Sequence, residues 1–289
     1  MRNTAIEAGG MSGTLWEPDE EPAAVLVIHP ATATPAGFYH GLATYLAENR
    51  IAVVTYDYRG TGRSGSPRDH RDVGMRDWIE QDVPAMTAWA AGWAAERFPA
   101  LPQLAIGHSV GGHALALGHG GAGLTAFALV ASHMASIAAI EDRVERLRVR
   151  LVLSVLGPAL AAVLGYVPAR RLGLGEDISV AAIRQWSDWG HLPNYLFDDP
   201  AMQAAERAAT VTQPVLVIGL SDDPWATPQQ VDRLAGRLVN ARLERRTYTP
   251  ADAGVPRVGH HGFMRRTVRD TLWPDLLTWF QKQVANAAP

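Results

Sequence analysis

Leu104-Ala105-Ile106-Gly107-His108-Ser109-Val110-Gly111-Gly112-His113-Ala114-Leu115-Ala116-Leu117 is the stretch on which the reading of the fold turns. A short apolar run ends at Ile106, small residues crowd around one serine, and a helix-forming run begins at Ala114. The context is strand, sharp turn, helix. A serine at such a turn must hold strained backbone angles, and Gly107 and Gly111 remove side chains that would strike the neighbouring strand and helix. The Ser109 hydroxyl is thereby pushed out above a sheet as a candidate nucleophile. A G-x-S-x-G pentapeptide also arises by chance in a chain with 27 glycines. Its weight therefore depends on what accompanies it.

Similar apolar runs bounded by turn residues recur at 24–28, 51–56, 127–131 and 215–218. They are continuous rather than alternating, as expected of strands covered by helices on both faces. Helical stretches do lie between them. Leu42, Tyr45 and Leu46 share a face in 41–49, Trp78, Ile79, Met86, Trp89 and Trp93 recur in 75–98, and Leu272, Leu276, Trp279 and Phe280 come together in 270–284. These aromatics are expected to pack helices onto the sheet. The fold class is α/β, a doubly wound, mostly parallel sheet. Between 133 and 210 the strand rhythm stops and the segment becomes helical, so 1–132 and 211–289 are expected to form the core and 133–210 a helical cap.

Composition narrows the chemistry. No cysteine occurs, which removes disulfides, thiolate nucleophiles and cysteine-based metal sites. A formal charge of −3 offers no overall basic field for nucleic acid. Histidines 29, 108, 113, 119 and 133 form no closed metal-ligand spacing, so no metal or organic cofactor is expected. The segment 1–10 lacks the apolar core of a signal peptide, and cytoplasmic residence is the expectation. The run 151–167 is nearly uncharged, but it is short for a bilayer span. Gly157 and Pro158 are expected to interrupt its helix, so no membrane span is anticipated.

Partners for Ser109 appear in the order Ser, Asp, His, each beyond a strand-like run. After 215–218 comes Gly219-Leu220-Ser221-Asp222-Asp223-Pro224-Trp225. Only one of these aspartates can hold an imidazole. The Asp-Pro-Trp context favours Asp223, whereas counting from Gly219 favours Asp222, which stays as the alternate. The other is expected to cap the helix that begins near Thr227-Pro228. The base is expected at Gly259-His260-His261-Gly262-Phe263, after the strand-like run 243–249. Adjacent side chains diverge, so His260 is aimed at the nucleophile and His261 lies at the rim. The amide of Val110 supplies half of an oxyanion hole at the helix start. The other half belongs to His29-Pro30-Ala31-Thr32-Ala33, with Ala31 as the donor and Thr32 in reserve, because Pro30 has no N–H.

These motifs resemble the α/β-hydrolase superfamily from the first parallel strand to the end of the chain. Asp57-Tyr58-Arg59-Gly60-Thr61-Gly62-Arg63-Ser64 is similar to its D-x-R-G-x-G-x-S loop, a turn-and-packing element. Pro30-Ala31-Thr32 with Phe38-Tyr39, Gly259-His260-His261-Gly262-Phe263 and Leu272-Trp273 resemble, more narrowly, a little-characterised bacterial branch of serine hydrolases. That resemblance implies the triad and His260 as its histidine, but no substrate. Pro30 stands where many members carry glycine, which bears on the oxyanion loop.

The expected activity is hydrolysis of an ester or related acyl bond through an acyl-enzyme on Ser109, acting on a small molecule with an apolar acyl group. Tyr166, Trp186, Trp189, Tyr195 and Phe197 are candidates to line its pocket or to form the cap's own core. Acyl transfer, release of small N-terminal residues, and ligand binding without catalysis are the rival readings.

Overall fold

The computed structural model describes residues 1–173 and 175–287. Eight strands form one sheet in the order β1-β2-β4-β3-β5-β6-β7-β8. They are β1 (Arg2–Ala8), β2 (Met11–Glu17), β3 (Ala24–His29), β4 (Ile51–Tyr56), β5 (Gln103–His108), β6 (Ala126–Val130), β7 (Pro214–Leu220) and β8 (Arg242–Tyr248). From β4 to β8 across the sheet every neighbouring pair is parallel, and β1 and β2 add an antiparallel edge. The inner strands are buried along their whole length, as their unbroken apolar sequences require. β8 is different: its Arg242-Leu243-Glu244-Arg245-Arg246 sequence is largely exposed, which suits the edge it occupies.

Helices cover both faces of the sheet. α1 (His40–Glu48) buries Leu42 and Leu46, α2 (Val83–Arg97) buries Val83, Met86 and Trp93, and α3 (Val110–Ala116) is buried throughout. The hairpin β1–β2 was not anticipated from the sequence. Gly9 and Gly10 form its turn, both at positive φ, and that dipeptide was the available signal. β1 exposes nearly all of its side chains, so it lacks the apolar run that marks the inner strands.

Between β6 and β7 the chain is helical. α4 (Arg143–Leu164) is followed by α5 (Val180–His191). The expectation that Gly157 and Pro158 break α4 is wrong. Residues Val152–Leu156 form a π-helical turn, which places Pro158 in the first turn of the α-helical stretch Gly157–Leu164. A proline there costs little, because the widened turn already displaces the bond its missing N–H would have made. The result is a continuous 22-residue helix, long and apolar enough by length and composition to cross a membrane. β7 then returns the chain to the sheet. α6 (Pro228–Ala235) follows it, and α7 (Trp273–Ala287) packs Trp273, Leu276 and Phe280 into the core.

Candidate active site

Ser109 sits between β5 and α3 with φ 53° and ψ −112°, a conformation that L-residues hold only under constraint. The constraint is visible at its neighbours. A Cβ at Gly107 would lie 2.4 Å from Gly112 Cα, and one at Gly111 would lie 2.4 Å from the His29 carbonyl oxygen. Only glycine lets the bend close against α3 and β3. The Ser109 amide donates to Val130 O at 3.0 Å, and Ser132 Oγ donates to Ser109 O at 3.0 Å. The elbow is thus bolted to the end of β6. The Ser109 hydroxyl is partly exposed and makes no hydrogen bond among the described residues.

Asp223 and His260 arrive on loops after β7 and β8. His260 Nδ1 lies 2.7 Å from Asp223 Oδ2, and Asp223 Oδ1 accepts from the amides of Trp225 and Ala226 at 2.9 and 3.0 Å. Burial pushes the Asp223 carboxyl up, but the facing His260 ring and these hydrogen bonds outweigh it and hold the group well below the ordinary carboxylate range. The carboxylate is ionised and can only accept, so Nδ1 of His260 carries the proton and Nε2 is the lone-pair nitrogen. Nε2 has no partner among the described residues. Asp222 does something else. Its two oxygens accept from the Val258 and Gly259 amides, each at 2.9 Å, which ties down the loop that presents His260.

Three histidines surround the His260 ring. His108, His133 and His261 have ring centroids 5.4, 5.7 and 5.1 Å away. His108 precedes Ser109 in the chain, and its Nε2 donates to His260 O at 3.0 Å. The loop that carries His260 is therefore held against the residue next to Ser109. Burial, followed by the charges of His261 and His260, holds His108 well below the usual histidine range, so it is neutral with one N–H. The proton on Nε2 leaves Nδ1 to accept from Tyr39 Oη at 2.9 Å. Tyr39 Oη in turn accepts the Ala31 amide at 2.8 Å. A chain with one consistent direction links Ala31, Tyr39, His108 and the His260 carbonyl.

That chain bears directly on the Ala31 assignment. The Ala31 amide, the first-choice oxyanion donor, is already engaged by Tyr39 in this structure, whereas the Thr32 amide has no partner among the described residues. Thr32 and Ala33 are the central residues of a turn closed by Thr34 N donating to Ala31 O at 3.2 Å. Sequence patterns named Phe38-Tyr39 only as part of a resemblance. Nothing in their spacing signalled that the phenol would cross to two other loops.

A cleft of about 810 Å³ opens at His260, lined by Asp142, Glu145, Arg148, Trp225, Arg257, His261 and Arg265 among others. None of Tyr166, Trp186, Trp189, Tyr195 and Phe197 lines it. Trp189 and Tyr195 are fully buried against each other in the core, and Trp186 and Phe197 pack on its margin. Phe197 lies under Arg237, and Tyr166 under Arg68. The aromatic at the cleft is instead Trp225, 5.3 Å from the His260 ring, with its Nε1 donating to Glu145 Oε1 at 2.7 Å. Asp-Pro-Trp was the sequence clue to that residue. His261 Nε2 is 3.2 Å from Thr34 Oγ1, and its ring meets Phe38 edge-on. Asp57 serves the second loop by accepting the Ala36 and Arg63 amides at 2.6 and 2.9 Å. No group of three or more His, Asp or Glu side chains suited to a metal occurs among the described residues.

A mostly parallel sheet with a strained serine bend after its central strand and an Asp–His pair on later loops defines an α/β-hydrolase. More narrowly, residues 20–251 match the family described as serine aminopeptidase, S33, and the chain belongs to that family. It is 37% identical over 100 residues to a monoacylglycerol lipase of Mycolicibacterium smegmatis. The match covers 34% of this chain and 33% of the lipase, so it spans about a third of that relative's length. Among solved structures, a soluble variant of monoglyceride lipase from Saccharomyces cerevisiae in complex with a substrate analogue superposes with a TM-score of 0.70 at 15% identity, covering 97% of this chain and 94% of that one. A thermostable carboxyl esterase from Bacillus coagulans gives a TM-score of 0.58 at 16% identity, with 98% of both chains covered. At such identities the structural matches speak to the fold.

Proposed function

We propose that the protein is a serine hydrolase that cleaves ester bonds of small molecules through an acyl-enzyme on Ser109, with His260 as base and Asp223 as its orienting acid. The observation that carries this reading is the His260–Asp223 contact of 2.7 Å on a base loop bonded to the residue before Ser109. His260 Nε2 takes the Ser109 proton as Oγ bonds to the carbonyl carbon, then returns it to the leaving alcohol. Water repeats the sequence and releases the acid. Asp223 stabilises the imidazolium. The Ser109–His260 hydrogen bond, not made among the described residues, forms when substrate enters, as catalytic hydrogen bonds commonly do.

The oxyanion is received by the Val110 amide, the first helical N–H of α3 and without a partner among the described residues, and by the amide of Thr32. Ala31 serves only if Tyr39 lets go of it. Residues 133–210 act as a cap over the site, and the relatives' printed activities on monoacylglycerol and carboxyl esters support the choice of an ester with an apolar acyl group.

A fluorophosphonate probe tests the nucleophile. It should label wild-type protein and leave Ser109→Ala unlabelled, and labelling of that variant at another serine would refute the assignment. A second reading is favoured by the family's description and by Asp142 and Glu145 in the cleft, which suit the ammonium of a peptide N-terminus. Aminoacyl p-nitroanilides, compared with p-nitrophenyl esters of increasing chain length, distinguish the two.

A further inference from the structure

Among the described residues, the outer face of α4 carries most of the exposed large apolar side chains. Val144, Leu147, Leu151, Val155, Leu156 and Val163 are all strongly exposed on this one helix, Val144 at 77% and Val163 at 83%. Leu164 at the end of α4 is exposed as well, and so is Leu172 in the turn Arg170–Leu172 that follows. Outside 144–172, only Met1, Val239 and Leu243 are exposed large apolar residues among the described residues. Scattered apolar side chains are ordinary, but a continuous row along about 33 Å of helix is a surface awaiting an apolar partner. The spacing of Val144, Leu147, Leu151 and Val155 keeps them on one side, and the π-helical turn leaves both Val155 and Leu156 facing out.

The other side of α4 is anchored. Leu153, Gly157 and Ala161 recur at four-residue intervals and are buried. A Cβ at Gly157 would lie 2.8 Å from Ile183 Cγ1 of α5, and one at Gly190 of α5 would lie 3.8 Å from Leu153 Cδ1. A helix bound to the body along one side cannot cross a bilayer, but it can lie in the surface of one.

Charge identifies the partner. Residues 143–172 carry six arginines and one glutamate in a chain whose formal charge is −3. Arg143, Arg150 and Arg171 form no ion pair among the described residues. A second copy paired through the same row would bring four arginines of α4 and a single acid, Glu145, which already pairs with Arg148, so it offers these guanidinium groups no counter-charge. An anionic lipid surface instead meets guanidinium groups at headgroup level while the apolar row enters the acyl region.

We infer that α4 is a membrane-surface docking helix that seats the protein on anionic lipid. The first turns of α4 also supply Glu145 and Arg148 to the cleft at His260, so docking brings that opening to the lipid boundary, where an amphiphilic ester would be met. This last consequence rests on the ester-hydrolase reading; the docking itself does not.

Flotation of the full-length protein with phosphatidylcholine–phosphatidylglycerol vesicles (3:1) tests the inference, alongside phosphatidylcholine vesicles and Leu147→Asp/Val155→Asp/Val163→Asp. Wild type should float with the anionic vesicles, and its bound fraction should fall about tenfold both in the triple variant and on phosphatidylcholine alone. The variant's hydrolysis of soluble p-nitrophenyl acetate should match wild type. Wild type that fails to float, or a variant that floats equally well, overturns the proposal. So does a dimer in light scattering that the triple variant abolishes, since the row would then be a protein interface. Retention after alkaline carbonate extraction would mean insertion across the bilayer and would overturn it as well. Flotation with no ester hydrolysis by either protein would refute the activity and leave docking intact.

Discussion

Tyr39→Phe removes one oxygen and should be felt in three loops. The ring stays, and with it the edge-on packing against Phe38 at 5.6 Å and His108 at 5.9 Å. What goes is the acceptor of the Ala31 amide and the donor to His108 Nδ1, in a place where Ala31, Tyr39 and His108 are all buried. Water has no ready path to replace it. Each buried group left without a partner costs about 1–3 kcal/mol, so the pair should cost about 3–4 kcal/mol. For a chain of 289 residues the unfolding entropy is about 0.6 kcal/mol/K, which converts that loss into a fall in Tm of about 5–7 °C. Thermal and urea melts measure it directly. In a double-mutant cycle with His108→Phe, Tyr39 and His108 should couple by about 1 kcal/mol or more, because each variant removes the same bond. A Tm within about 1 °C of wild type, or additive effects in the cycle, would show that the chain from Ala31 to the His260 carbonyl does not support the fold.

Ser109→Ala should lose several orders of magnitude in kcat on p-nitrophenyl butyrate with an unchanged melting curve, and near-normal turnover would dispose of the nucleophile. Asp223→Asn should reduce kcat by about 10⁴-fold, the scale on which a serine protease responds to the equivalent change, because the amide holds the wrong tautomer of His260. Asp222→Asn, by contrast, should mainly lower stability by about 1–2 kcal/mol through the Val258 and Gly259 amides; equal kinetic losses from the two would erase the distinction. Gly111→Ala should destabilise by more than about 2 kcal/mol, since the added carbon meets backbone rather than a movable side chain, and chemical denaturation measures that loss. Acid should also weaken the fold. Burial lowers His29 and His133 to about 3 and His113 to about 4, so between pH 6.5 and about pH 4 the unfolded chain binds protons that the native one refuses. Stability from these groups is intact above pH 6.5, and each should cost about 1.4 kcal/mol by pH 5.5. A urea midpoint unchanged between pH 7.5 and 5.5 would contradict this.

Apart from the exposed edge strand β8, the strands that could be read from sequence were those buried on both faces, because a run such as Ala24-Val25-Leu26-Val27-Ile28 has few other ways to leave water. β1 was silent for the opposite reason. Its side chains point mostly to solvent, and the Gly9-Gly10 turn was its sole mark. The course of α4 was misjudged because proline was weighed as a breaker without the π-helical turn that accommodates it.

Local sequence determined the strand-turn-helix setting of Ser109 and the order in which an aspartate and a histidine follow it. Glycine placement and apolar runs act over a few residues, and they are legible one window at a time. Only tertiary structure decided that Asp223 rather than Asp222 meets the His260 ring, that Tyr39 occupies the Ala31 amide, and that Trp225 rather than the aromatics of 166–197 stands at the cleft. It likewise decided which side of α4 is packed and which is bare. Each of these depends on where separate loops converge after the sheet has formed, and no local run of residues encodes that distance.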